Sequence, residues 1–165
     1  MRLVGGSKTT IYSHFGDKAG LFTAVVDELL KDTVAFTDSL DLSALSVRDA
    51  LIEIATQHLT VVPCDRYIRL VSIVAAEAAR FPELGKAFYE HGPGLSYLDF
   101  KEFLDKRVAA GELNLGDTSL ATDLFFGTLL HCEVLARVYG VKTAALRNPK
   151  AIAGAVTDNF VDRYD

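Results

Sequence analysis

Apolar residues recur along most of this chain with the spacing of an α-helix. The clearest stripe begins after Ser46. A period of about 3.6 residues is typical of an amphipathic helix that turns one face to a core. Strict alternation of apolar and polar residues, the pattern of a half-buried strand, is absent over any useful length. The sequence therefore predicts an all-α fold. The stripe after Ser46 consists of Val47, Leu51, Ile54, Ala55, His58, Leu59 and Val62.

Local signals predict where the helices begin and end. Ser46 and Asp49 form an S-x-x-D capping box, and Pro63 marks the end of the helix that they open. The same rules predict further boundaries along the chain. These are Pro82 in a first turn, an interruption at His91–Gly94, a C-cap at Gly111, an N-cap at Asp117, an end at Gly140, and an N-cap pair at Asn148 and Pro149 that opens a last helix ending near Tyr164.

One predicted helix is apolar on nearly all sides. The segment from Asp65 to Arg80 carries Ile, Leu, Val and Ala residues around its whole circumference. Helices of this kind are typical of the interior of a protein. We therefore expect this helix to be central and buried.

The composition fits one soluble domain. The chain has 165 residues, 50% of them hydrophobic, and a formal charge of -5. The longest uncharged stretch, from Ile54 to Cys64, is too short to cross a bilayer, and no secretory signal stands at the start. We expect a cytoplasmic protein with no membrane partner.

Catalytic, cofactor and metal sites are not predicted. The two cysteines show no C-x-x-C spacing, and no nucleophile and base pair or phosphate loop is evident. His131, Cys132 and Glu133 are consecutive, and neighbours on a helix point about 100 degrees apart, so they do not converge on one ion. The sequence predicts that the chain is not an enzyme.

The most specific motif lies at the start of the chain. Residues Val4 to Phe22 read V-G-G-S-K-T-T-I-Y-S-H-F-G-D-K-A-G-L-F. This segment resembles the second half of the helix-turn-helix of tetracycline-repressor-type (TetR) regulators, in which a recognition helix of the kind S-K-x-T-[LI]-Y-x-H-F precedes a turn and K-x-x-L-F. The resemblance implies a DNA-binding transcriptional regulator, most often a repressor that a small ligand releases from DNA.

The resemblance also implies which residues contact DNA. Small polar and cationic side chains at the start of a recognition helix suit base edges and phosphates. Residues 1 to 18 carry a net charge of +2, and the remainder carries -7, so the positive charge lies with the motif. The implied base or phosphate contacts are Lys8, Thr9, Thr10, Tyr12, Ser13, His14 and Lys18.

The motif begins within a few residues of Met1, whereas two helices precede it in the family. We divide the sequence into residues 1–22, a partial helix-turn-helix, and residues 23–165, a ligand-binding and dimerisation domain. An isolated recognition helix is marginal in water. We therefore expect this polypeptide to bind operator DNA weakly or not at all, although a longer form that carries those helices would bind it.

The remainder of the chain resembles the sensor half of the same family. Glu77 to Pro93 and Ala109 to Leu113 look like the AefR-like group of TetR C-terminal domains. Such a domain holds an unknown small-molecule effector in a mostly apolar cavity. Seven residues on or beside apolar stripes, most of them aromatic or histidine, are the candidates, although the simpler interpretation of each is an ordinary core residue. They are His58, Tyr67, Val71, Phe88, Tyr97, Phe100 and His131.

The last two predicted helices indicate a homodimer. Residues 117–140 and 148–164 are long and apolar, and in the family such a pair meets its two-fold mate as a four-helix bundle. An alternative function remains open: a helical dimer that binds a small molecule and does not bind DNA. The sequence upstream of Met1 would separate the two functions.

Overall fold

The computed structural model describes residues 13–17, 19–28, 42, 44–141 and 148–162. Within these ranges the chain is helical and contains no strand, so the predicted all-α fold is confirmed. The helical segments are α1 (residues 13–15), α2 (residues 19–28), α3 (Val47–Val61), α4 (Asp65–Glu77), α5 (Pro82–His91), α6 (Pro93–Ala109), α7 (Thr118–Val138) and α8 (Pro149–Val161).

The helix ends follow the local chemistry of the sequence. The Ser46 hydroxyl accepts a hydrogen bond from the Asp49 amide at 3.1 Å, which satisfies one free donor at the start of α3. The Asp117 carboxylate accepts from two amides at the start of α7, and the Asn148 side chain accepts from the Lys150 amide before α8. After α6 and α7 the chain turns at Gly111 and Gly140, whose φ values are 73° and 71°.

The main core forms where α3, α6, α7 and α8 meet. Phe125 of α7 lies at its centre and is fully buried. Its ring stacks on Phe100 of α6 with centroids 4.5 Å apart, and it meets the edge of Phe160 of α8 at 5.4 Å. Leu51, Ala55 and Leu59 of α3 fill the same core. The small Ala153 lets α8 lie closely along α3.

A second, smaller cluster attaches α2 to the rest of the molecule. Val26 of α2 is fully buried against Leu70 and Val74 of α4. Phe88 of α5 and Tyr67 of α4 pack against the same cluster, with their ring centroids 5.9 Å apart. This cluster connects the N-terminal helices to the body of the chain.

The expectation that Asp65 to Arg80 forms a central, buried helix is wrong. Ile68, Leu70 and Val74 are buried, but Ile73 is 55% exposed and Ala75 and Ala76 face solvent. The apolar pattern predicted too much burial because alanine counts as apolar, although exposing its small side chain to water costs little free energy. The helices that contribute most to the main core are α3 and α7.

No helix in the described part of the chain is both long enough and apolar enough to cross a membrane.

Candidate functional site

A cavity of about 280 Å³ opens between α3, α4, α5, α6 and α7. Most of its wall is apolar, and its polar groups are few, which is the usual character of a small-molecule site. Sixteen described residues line it. They are Leu42, Ile54, Gln57, His58, Val61, Val62, Tyr67, Tyr89, Gly92, Pro93, Ser96, Tyr97, Asp99, Phe100, Phe103 and Phe126.

The break between α5 and α6 shapes one side of this cavity. α5 ends at His91 and α6 begins at Pro93, so Gly92 alone separates the two helices. Proline suits the first turn of a helix, where its missing amide would have had no partner. A Cβ added at Gly94 would lie 2.7 Å from the carbonyl oxygen of Tyr89, so glycine is required for this close approach. The break therefore places Tyr89, Gly92 and Pro93 together in the wall.

Aromatic rings form much of the remaining wall. Phe100 contacts the rings of Phe103 and Phe126, with centroids 6.0 and 5.1 Å away. The same Phe100 is 3% exposed and belongs to the main core. One side of the cavity is therefore continuous with the packed interior, which gives it a firm surface.

His58 of α3 contributes an uncharged polar group to the wall. Its ring lies 4.7 Å from that of Phe126, and desolvation lowers its pKa from 6.5 to about 4. The imidazole is therefore neutral near pH 7 and offers one donor and one acceptor. It makes no hydrogen bond with any described residue. A ligand in the cavity is a suitable partner for it.

Tyr67 of α4 contributes a second such group. Desolvation, with a smaller contribution from Cys64, raises the pKa of Tyr67 to about 12, so the hydroxyl keeps its proton. Like the imidazole, this hydroxyl makes no hydrogen bond within the described part of the chain. Tyr97 differs from Tyr67, because the Tyr97 hydroxyl donates a hydrogen bond to the carbonyl oxygen of Ser119 at 2.8 Å.

Charge is scarce around the cavity. Asp99 is the only charged side chain among the described lining residues. Arg107 lies close by, with its guanidinium 5.2 Å from the Phe103 ring, but it binds Glu112 at 2.7 Å and the Leu42 carbonyl oxygen at 2.7 Å. The guanidinium of Arg107 is therefore already engaged by other groups of the protein.

Four of the seven predicted ligand-binding residues, His58, Tyr67, Tyr97 and Phe100, line this one cavity. Val71 is not part of the lining, and Phe88 lies behind Tyr67 in the second cluster. The side chain of His131 lies outside the described part of the structure. That any of these residues binds a ligand stays a prediction.

Helical spacing could have found several lining residues that sequence reasoning missed. Ile54 and Val61 lie four residues before and three residues after His58, and Phe103 lies three residues after Phe100. Tyr89 and Phe126 gave no comparable signal, because only the tertiary packing of α5 and α7 brings them to the cavity.

The predicted DNA contacts are only partly covered by the structure. Ser13 and His14 of α1 are exposed, and the His14 ring meets the edge of Phe15 at 5.1 Å. Phe15 is itself partly exposed, and the chain then turns at Gly16 before α2. Lys8, Thr9, Thr10, Tyr12 and Lys18 lie outside the described residues.

Comparison with known proteins identifies the family. A model of the AefR-like transcriptional repressor C-terminal domain matches residues 49–165. No curated protein matches the chain. A solved structure from Mesorhizobium loti, described as a TetR-family transcriptional regulator, is 27% identical, with a TM-score of 0.81 over 97% of this chain and 81% of that one.

Two further solved structures share the architecture. The flavonoid-responsive regulator FrrA is 27% identical, with a TM-score of 0.79 over 98% of this chain and 82% of that one. FadR from Bacillus subtilis, solved with stearoyl-CoA, is 20% identical with a TM-score of 0.66, over 95% of this chain and 82% of that one, and shows the shared fold.

The family match extends over well more than half of the chain, and the relatives are transcriptional regulators rather than enzymes. The prediction that the chain is not an enzyme is thereby confirmed. This protein belongs to the TetR family of transcriptional regulators, in the group with AefR-like C-terminal domains.

Proposed function

We propose that the cavity lined by helices α3 to α7 is the effector site of this regulator, and that ligand binding there controls the binding of operator DNA. The observation that carries the proposal is the pair of uncharged polar groups, on His58 and Tyr67, that face a mostly apolar cavity and make no hydrogen bond with the described residues. A ligand that binds one conformation better than another shifts the population toward it, and this is how an effector can release DNA.

The relative FrrA suggests a first probe. Its name states that it responds to flavonoids, and its structure aligns with almost the whole of this chain. Flavonoids are flat, largely aromatic molecules with hydroxyl and carbonyl groups, and the wall of the cavity offers rings and hydrogen-bonding groups to match. The flavanone naringenin is therefore a suitable probe.

A plugged cavity tests the effector site. Val61 lines the cavity and Val141 is 57% exposed outside it, so the substitutions Val61→Phe and Val141→Phe add the same volume in different places. We expect naringenin, titrated calorimetrically, to bind the wild type and Val141→Phe alike and to bind Val61→Phe at least about tenfold more weakly. Equal binding by both folded variants would place the site elsewhere.

DNA binding is proposed for the exposed start of the chain. Ser13 and His14 face solvent at a helical turn followed by a second helix, in agreement with the contacts that the family motif implies. Phosphate contacts weaken as salt rises, so a mobility shift with DNA from upstream of the protein's own gene should be run at low salt. Sequence-specific binding that naringenin or another effector reverses would support the regulatory proposal.

The alternative function makes the opposite prediction. A helical dimer that only binds a small molecule would bind the effector and leave DNA unshifted at every salt concentration. Because residues 1–165 are expected to bind DNA weakly under either function, the same assay on a longer form that carries the preceding helices separates the two: only a regulator shifts DNA in that form.

We also propose that the chain forms a homodimer through residues 117–140 and 148–164. Leu120, Leu124 and Leu135 of α7 are all partly exposed and share one face of the helix with Gly127. Ala151 and Ala155 of α8 are also exposed. An apolar face of this length is typical of an interface in a soluble protein.

A further inference from the structure

The lining of the cavity points to the chemical class of its ligand. We propose that the effector is an uncharged aromatic molecule bearing a hydroxyl or carbonyl group, which bonds to His58 and Tyr67, and that anionic aromatic molecules are rejected. This inference rests on the proposed effector site and adds the charge and the anchoring groups of the ligand.

The walls favour a flat, ring-containing ligand. Phe100, Phe103 and Phe126 come from α6 and α7, while Tyr67 and Tyr89 come from α4 and α5, so rings face the cavity from several directions. Aromatic pairs gain energy from stacked and edge-to-face contacts beyond the burial of their area. A volume of about 280 Å³ is near the lower end for small-molecule pockets, which suits a ligand of two or three rings.

The polar groups favour a ligand without a formal charge. The His58 imidazole is neutral, and the Tyr67 hydroxyl keeps its proton, so neither supplies a counter-charge near pH 7. Each can still form a hydrogen bond: the hydroxyl donates or accepts, and the imidazole does both. Buried groups of this kind gain from a partner, because an unpaired polar group in an apolar site is costly.

An anion meets an unfavourable environment in the same place. The described lining contains no Lys or Arg. Its one charged side chain is Asp99, which is an anion itself. Arg107 beside Phe103 is engaged by Glu112 and by the carbonyl oxygens of Leu42 and Leu45. A carboxylate that enters the cavity would lose its water without gaining a cation, and this costs far more than the loss of one neutral hydrogen bond.

A series of three probes on one scaffold tests this inference. Biphenyl, its para-hydroxy derivative and its para-carboxylate share their rings and differ in the group at one end. With the full chain near pH 7, we expect the hydroxy compound to bind about tenfold more tightly than biphenyl. The carboxylate should bind at least about a hundredfold more weakly than the hydroxy compound.

Two variants locate the anchoring groups. In Tyr67→Phe combined with His58→Leu, the advantage of the hydroxy compound over biphenyl should fall from about tenfold to about one, because neither anchor remains. Biphenyl itself should bind both proteins similarly, and its binding shows that the variant is folded. Tyr67→Phe alone removes a single oxygen atom and should reduce the advantage in part even if the double variant does not fold. Tyr139→Phe, an exposed tyrosine at the end of α7, is the matched control and should keep the full advantage.

The outcomes separate the two proposals. Binding of the carboxylate as tight as that of the hydroxy compound would overturn the inference about charge and leave the effector site in place. An unchanged advantage of the hydroxy compound in both variants would overturn the assignment of the anchors. If naringenin and the three probes bind Val61→Phe as tightly as they bind the wild type, the effector site itself is wrong.

Discussion

The neutral imidazole of His58 makes the stability of the fold depend on pH. The folded state holds its pKa at about 4, whereas the unfolded chain protonates near the ordinary value of 6.5. Its contribution is complete above pH 6.5 and is lost as the pH falls toward 4, since the unfolded state binds more protons in that window. We expect this residue alone to lower the free energy of unfolding by about 2 kcal/mol between about pH 7.5 and about pH 5.

Urea denaturation of the wild type and of His58→Leu at both pH values measures this contribution. All other titratable groups are the same in both proteins, so the difference between the two pH dependences isolates His58. Identical pH dependences would mean that the imidazole is solvated in the folded state.

Single residues also show how far sequence reasoning extends toward the site. His58, Tyr67, Tyr97 and Phe100 could be selected as aromatic or histidine residues on apolar stripes, and the structure brings them to one cavity. Val71 also lies on an apolar stripe, one turn after Tyr67 and on the same side of α4, yet it does not line the cavity. A stripe identifies residues that face the interior, but it does not say which of them border empty space.

At the scale of helices, boundaries were predictable and burial was not. Ser46, Asp117 and Asn148 cap helices through contacts within three residues, so the local sequence contains the whole interaction. The burial of α4 depends on which neighbours cover it, and Ile73 stays exposed because no described helix does so. Positions of helices relative to one another need tertiary information for this reason.

The attachment of α2 is where the cavity can influence the N-terminal helices. Asp27 of α2 binds His91 of α5 at 2.5 Å, and Val26 packs in the cluster that contains Tyr67. Since Tyr67 also lines the cavity, a ligand that restrains its ring should restrain α2. We predict that naringenin slows amide hydrogen exchange in residues 19–28.

The control for this prediction is α8, which lines no part of the cavity and should exchange at the same rate with and without ligand. Val26→Ala removes part of the shared cluster and should reduce the protection of residues 19–28 while leaving ligand affinity within about threefold. Protection that is equal in α2 and α8 would indicate general stabilisation by the ligand and contradict a specific connection.

At the scale of the whole molecule, the cavity and the proposed dimer face lie on different sides of α7. Phe125 and Leu129 point into the core and Phe126 borders the cavity, while Leu120 and Leu124 face outward. One helix therefore borders both the cavity and the proposed dimer face, so a shift of α7 would alter both surfaces. If the proposed dimer forms and reads two half-sites, it sets the separation of the two heads.

A charge placed on the outward face of α7 tests the dimer. Leu124 is 43% exposed on α7, and Leu98 is 61% exposed on α6, so Leu124→Asp and Leu98→Asp make the same change on two different surfaces. We expect sedimentation at micromolar concentration to give dimers for the wild type and Leu98→Asp and monomers for Leu124→Asp, because a buried unpaired carboxylate at an interface is strongly unfavourable. Naringenin should still bind the Leu124→Asp monomer, since the cavity lies within one chain. A monomeric wild type, or a dimer that Leu98→Asp disrupts and Leu124→Asp does not, would show that α7 is not the interface.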